Sequence, residues 1–124
     1  MLKWYRKAAD QNNVKAQYNM GVMYHDGQGV KQDYIEALKW YRKAADHGNA
    51  QALYNLGVMY FNGQGVQKNH VQAYMWLDVA AAHYPPSDTK DRNDAVKARD
   101  LVASEMKPAQ IAEARKLARA WKPK

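Results

Sequence analysis

Apolar residues recur along most of this chain at three- and four-residue steps, the spacing that keeps side chains on one side of a helix. Between Asn49 and Asn62, the residues Ala52, Leu53, Leu56 and Tyr60 form such a stripe. Between Asp33 and Asp46 the stripe is Ala37, Tyr41, Ala44 and Ala45, with Leu38 beside it; through 69–83 it is Ala73, Leu77, Ala80 and Ala81. Polar residues mark the starts. Asn49 and Asp33 are suited to accept hydrogen bonds from the free amides of a first turn, and Glu36 follows Asp33 in a capping-box arrangement. Gly63 marks a stop, because glycine readily takes the left-handed conformation that ends a helix, and Val66 can seal that end by apolar contact.

The stripes belong to a repeat. Residues 4–30 and 40–66 are identical at 19 of 27 positions at an offset of 36. A third copy begins at Trp76 with Ala80 and Ala81 and then fades. A period of this length is that of stacked helix pairs, each unable to bury its apolar face alone. Gly21 and Gly57 interrupt the first-helix stripes at the same register. Each costs about 1 kcal/mol of helix propensity against Ala, which a close approach of the neighbouring helix would offset. The pattern predicts an all-α domain of four parts: a partial unit at 1–12 holding a second helix only, full units at 13–48 and 49–84, and a divergent helix pair with a cap at 85–124.

The end of the chain differs from the rest. Pro85 and Pro86 break the helix of the second unit. A helix over Thr89–Met106 follows, with Ala95, Ala98, Leu101 and Val102 as its stripe. Pro108 then opens a last helix at the tolerated first position. Ile111, Ala114, Leu117, Ala118 and Trp121 make its inner face, and Arg115, Lys116, Arg119 and Lys122 its outer one. This reads as the polar cap a solenoid needs. The other end carries no such cap: Leu2, Trp4 and Tyr5 are left on an open face, which predicts either further repeats upstream or self-association.

Charge changes the picture modestly. The chain of 124 residues carries a net +7, and residues 90–124 hold ten Lys/Arg against five Asp/Glu. That basic end suits an acidic partner, or serves as a solubilising surface. Nine Tyr and four Trp against one Phe give half-buried positions an apolar ring with a polar handle. With no Cys there is no disulfide, thiolate metal site or thiol nucleophile. No apolar window is long enough for a transmembrane helix. The first residues do not read as a signal peptide. A bacterial cytoplasm stays open as the compartment, as do periplasm and secretion if a leader was trimmed.

Catalytic chemistry finds little support. His25, His47, His70 and His83 form no pair at helical ligand spacing, and no metal site or cofactor is expected. His83, Ser87 and Asp88 imitate a triad in sequence only. Gly27-Gln28-Gly29 lacks the third glycine, the preceding strand and the Lys-Ser/Thr of phosphate loops. An enzyme is therefore not expected.

The unit Ala52, Leu56, Gly57, Tyr60, Gly63, Gly65 and Val66, followed by Ala73, Trp76, Leu77, Ala80 and Ala81, resembles the Sel-1-like repeat. Leu77 stands where Tyr is usual, and the earlier unit keeps Trp40 and Tyr41. The resemblance is strong over 4–84, and the segment from Lys107 to Ala114 resembles the terminal helix of such proteins. It implies a right-handed α-solenoid similar to the tetratricopeptide fold, used as an adaptor or scaffold. A cysteine-rich branch of the family is associated with β-lactam binding; this chain departs from it. If the first helices line the concave side, as in tetratricopeptide-like arrays, the groove positions are Lys15, Tyr18, Asn19, Val22 and His25, then Gln51, Tyr54, Asn55, Val58 and Asn62. Tyr offers contact area and Asn can bond a peptide backbone. Asn19 and Asn55 can equally tie neighbouring helices together. The expected partner is a protein or peptide. The alternative is an acidic partner on the basic C-terminal helices, where a nucleic acid is disfavoured because no recognised motif or stacking array accompanies the charge.

Overall fold

The computed structural model describes residues 2–124, and among these it contains seven helices and no strand. They are α1 (Leu2–Asp10), α2 (Val14–Asp26), α3 (Tyr34–Asp46), α4 (Ala50–Asn62), α5 (His70–His83), α6 (Thr89–Ala103) and α7 (Pro108–Ala120). Each of α1 to α5 packs on the next in the chain, and α7 folds back onto α5 rather than onto α6. This is the stacked helical solenoid expected from the doubled repeat.

The helix starts follow from capping chemistry. Asn13, Asn49 and Asn69 each accept a hydrogen bond from an amide three residues on, at 2.9, 2.9 and 3.0 Å. Such caps are worth about 1 kcal/mol each. Asp33 accepts from Ile35 and Glu36 at 3.0 and 3.1 Å, but the box is not closed: the Asp33 amide donates to the Tyr24 carbonyl at 2.9 Å. The Asn69 amide does the same to Tyr60 at 3.0 Å. These bonds tie each second helix to the first helix of its unit. Gly27 and Gly63 stop α2 and α4 at φ values of 71° and 69°, and their amides bond back to Met23 and Met59.

The largest of three core clusters links α3, α4 and α5. Ala37, Tyr41, Ala44 and Ala45 of α3 meet Leu53, Leu56 and Met59 of α4, which in turn meet Trp76 and Ala80 of α5. A side chain at Gly57 would place its Cβ 2.6 Å from Leu77 Cγ, and one at Gly21 2.5 Å from the Tyr41 ring, so both glycines mark close helix approach.

The C-terminal helices depart from the reading in two places. α6 ends at Ala103, three residues before Met106, and a turn closes it. Leu101 and Leu117, assigned to inner faces, are exposed. In α6 the buried pair is Ala95 and Val102, and Leu101 is turned about 100° away from Val102. α7 rests chiefly on α5 and buries a narrow stripe centred on Ala114, leaving Leu117 at its open edge. The Lys107 side chain, a donor only, cannot cap α7; the Gln110 side chain accepts from the Lys107 amide at 2.9 Å instead. Beyond α7 the chain returns to the corner between α3 and α4. There Trp121 stands edge-on to Trp76 and His83, and Lys124 reaches Asp46.

Candidate functional site

The first-helix residues of both units meet in two adjoining cavities that share Tyr18, Tyr54 and Asn55. The larger, about 360 Å³, is walled by Val22, His25 and Asp26 of α2 and by Tyr41 and Val58. The smaller, about 180 Å³, is closed by Gln51, Tyr84 and the α6 carboxylates Asp91 and Asp94. Together they form one groove running from α2 across α4 to α6.

Tyrosine dominates its wall. The rings of Tyr18 and Tyr41 lie 5.8 Å apart, tilted at 40°, and His25 stacks at 5.3 Å from Tyr34. Tyr41 is almost wholly buried. Burial first, then the neighbouring Tyr18 and Asp26, push its pKa well above the ordinary value, against the Asn55 amide, which lowers it. Tyr84 is raised likewise, by burial and then by Asp91, Tyr18 and Tyr54. Both phenols therefore keep their protons past the ordinary tyrosine range. On α6 a hydrogen bond to the Asp88 side chain is the main cause that raises Asp91. The groove is thus polar, aromatic and acidic, with no Lys or Arg in its lining.

Of the ten residues named as groove positions, seven are brought together here: Tyr18, Val22, His25, Gln51, Tyr54, Asn55 and Val58. Lys15 and Asn62 are exposed and line neither cavity. Asn19 faces a separate cavity of about 350 Å³ at the N-terminal end, with Tyr5, Met23 and Gly29. Sequence reasoning missed Asp91 and Asp94, and the period itself held the signal: they lie 36 residues after Asn55 and Val58. Tyr41 and Tyr84 went unassigned to the groove because a buried tyrosine reads as core.

The basic end is partly committed to structure. Arg99 bonds Asp78 at 2.9 Å and lies over the Tyr74 ring, while Arg115 donates to the Tyr74 hydroxyl at 3.1 Å. Arg115 thus clamps α7 to α5 rather than standing free on an outer face. Among the described residues no group of three or more His, Asp or Glu is placed to hold a metal ion. No helix there is long and apolar enough to cross a membrane.

Stacked helix pairs with a shared groove define a helical-repeat protein. The family model for the Sel1 repeat matches residues 2–13, 14–49 and 50–84, and the chain belongs to that family. Repeats of that family are generally protein–protein interaction modules. Two solved structures are similar. One is a protective antigen present in uropathogenic Escherichia coli strains, displaying an SLR fold: 34% identity, TM-score 0.86, covering 97% of this chain and 24% of that one. The other is a Sel1 repeat protein from Oxalobacter formigenes: 33% identity, TM-score 0.66, covering 94% and 52%. The chain thus spans about a quarter and about half of these relatives. A search of curated proteins found no match.

Proposed function

We propose that this chain is a non-enzymatic scaffold that holds an extended segment of a protein partner in the groove shared by Tyr18, Tyr54 and Asn55. The observation that carries this reading is the continuity of the two cavities across both repeats and α6. One repeat step is roughly 10 Å, and an extended peptide rises about 3.3 Å per residue. A step therefore spans about three peptide residues, so the Asn55 side chain can bond the backbone while tyrosine rings contact alternate side chains. Rigid aromatic rings with polar tips are favoured anchors because few rotors are frozen on binding.

The test begins with pull-down of a partner from the source cell and identification by mass spectrometry. Tyr54→Ala with Asn55→Ala should then weaken binding by about 2 kcal/mol or more. Arg115→Glu with Lys116→Glu should matter less, once circular dichroism shows that both variants fold. The opposite ranking transfers the site to the basic C-terminal helices and an acidic partner.

Self-association at the N-terminal end is a second reading, favoured by Trp4, which is 65% exposed beside an apolar cavity. The Leu2 side chain, also named for this face, lies outside what the structure describes. Sedimentation at high concentration should reveal dimers that Trp4→Ser abolishes; a clean monomer of the parent chain removes this reading.

A further inference from the structure

The chemistry of the groove narrows what it can hold. The chain carries a net +7, yet the groove lining contains Asp26, Asp91 and Asp94 and no Lys or Arg. Its one histidine, His25, is paired to Asp26 at 3.0 Å. Lys90 meets Asp94 at 3.5 Å with a side chain 87% exposed, a loose surface contact. Negative charge is therefore gathered in one concave strip of an otherwise basic molecule.

Tyr84 adds an observation independent of the carboxylates. It is 8% exposed and lines the smaller cavity. Burial and the charges around it raise its pKa, and no side chain among the described residues hydrogen-bonds it there. The Tyr84 hydroxyl has no side-chain partner yet still meets the solvent of the cavity, so it is free to donate to a carbonyl in the groove. Next to it stand Asp91 and Asp94, and across from them the exposed parts of Tyr18 and Tyr54. Carboxylates beside tyrosine faces receive a guanidinium or ammonium well: oxygens take its N–H groups while the ring quadrupole attracts its charge.

We propose that the groove takes a basic segment, an extended peptide whose Lys or Arg side chain seats against Asp91 and Asp94 while Tyr84 donates to its backbone. The inference rests on the groove reading above and names its partner class. An acidic segment would meet Asp26, Asp91 and Asp94 as like charges. A purely apolar one would leave the Tyr84 hydroxyl and the carboxylates desolvated without partners.

A displayed library of random peptides of about 12 residues, enough to cross more than two repeat steps, tests this on the full chain. Selected peptides are re-measured against Tyr54→Ala/Asn55→Ala, to identify groove binders, and against Asp91→Asn/Asp94→Asn. We expect groove binders to carry Lys or Arg at a fixed position and to lose about tenfold or more in affinity in the Asn variant. Asp94→Asn alone, at a half-exposed site, serves if the double variant does not fold, with a smaller loss expected. Groove binders without a basic preference, or with unchanged affinity for the Asn variants, overturn the charge inference and leave the groove standing. Enriched peptides indifferent to Tyr54 and Asn55, or no enrichment at all, remove both.

Discussion

Trp4, Trp40 and Trp76 occupy the same register of three successive units, the first two in the same seven-residue sequence, yet they are 65%, 3% and 1% exposed. The glycines of the turns diverge in the same way. A Cβ on Gly65 would lie 2.7 Å from the Tyr34 carbonyl oxygen, whereas one on Gly29 would meet nothing nearer than Met23 at 3.8 Å. The second unit has the first unit packed beside it, and the first unit's corresponding side opens onto the 350 Å³ cavity around Tyr5 and Asn19. In a stacked array, then, a motif fixes local conformation, but burial belongs to the neighbour.

Paired substitutions measure that difference. Trp76→Ala should cost about 3–5 kcal/mol, while Trp4→Ala, losing only an exposed edge contact with Tyr5, should stay within about 0.5 kcal/mol. Urea midpoints of the two variants read this directly; equal losses would mean that Trp4 is also packed in solution. Gly29→Ala and Gly65→Ala both force Ala into a left-handed conformation, for roughly 1–2 kcal/mol. Gly65→Ala adds an overlap with the Tyr34 backbone and should cost roughly 1–3 kcal/mol more. Matching midpoints would refute the tight inter-unit contact.

The capped end responds more mildly. Arg99→Ala removes the partly buried contact with Asp78 and should destabilise by about 1 kcal/mol, against almost nothing for the exposed Arg119→Ala. Raising the salt should shrink the Arg99 effect only in part. The least pronounced effect falls at alkaline pH. Tyr41 and Tyr84 have folded pKa values raised above the ordinary tyrosine value. Their contribution is complete below about pH 10 and is lost as pH climbs through the raised values. Ultraviolet titration should show a late-ionising phenol signal that shrinks in each of Tyr41→Phe and Tyr84→Phe. A late signal unchanged in both variants would deny that Tyr41 and Tyr84 are shielded in the groove wall.

The solenoid was readable because its signals are local and doubled: Asn49 and Asp33 cap where a side chain can reach an amide, and Gly63 stops a helix for reasons of its own backbone. The groove was half readable. Tyr54 and Asn55 stood out by recurrence, but Asp91 and Asp94 sit where the pattern has faded, so only counting the period onward through α6 reaches them. Leu101 and Leu117 were misassigned because periodicity defines a stripe, not how wide a neighbour covers it.

The sequence alone determined helix identity, the caps, the turn glycines and the order of stacking, all governed by interactions within one or two units. Only the tertiary structure decided which of three equivalent tryptophans are buried, that Arg115 clamps Tyr74, and that Tyr84 and two aspartates close the groove. Those outcomes depend on surfaces that meet across units, and no residue carries in its own neighbourhood a record of what packs against it.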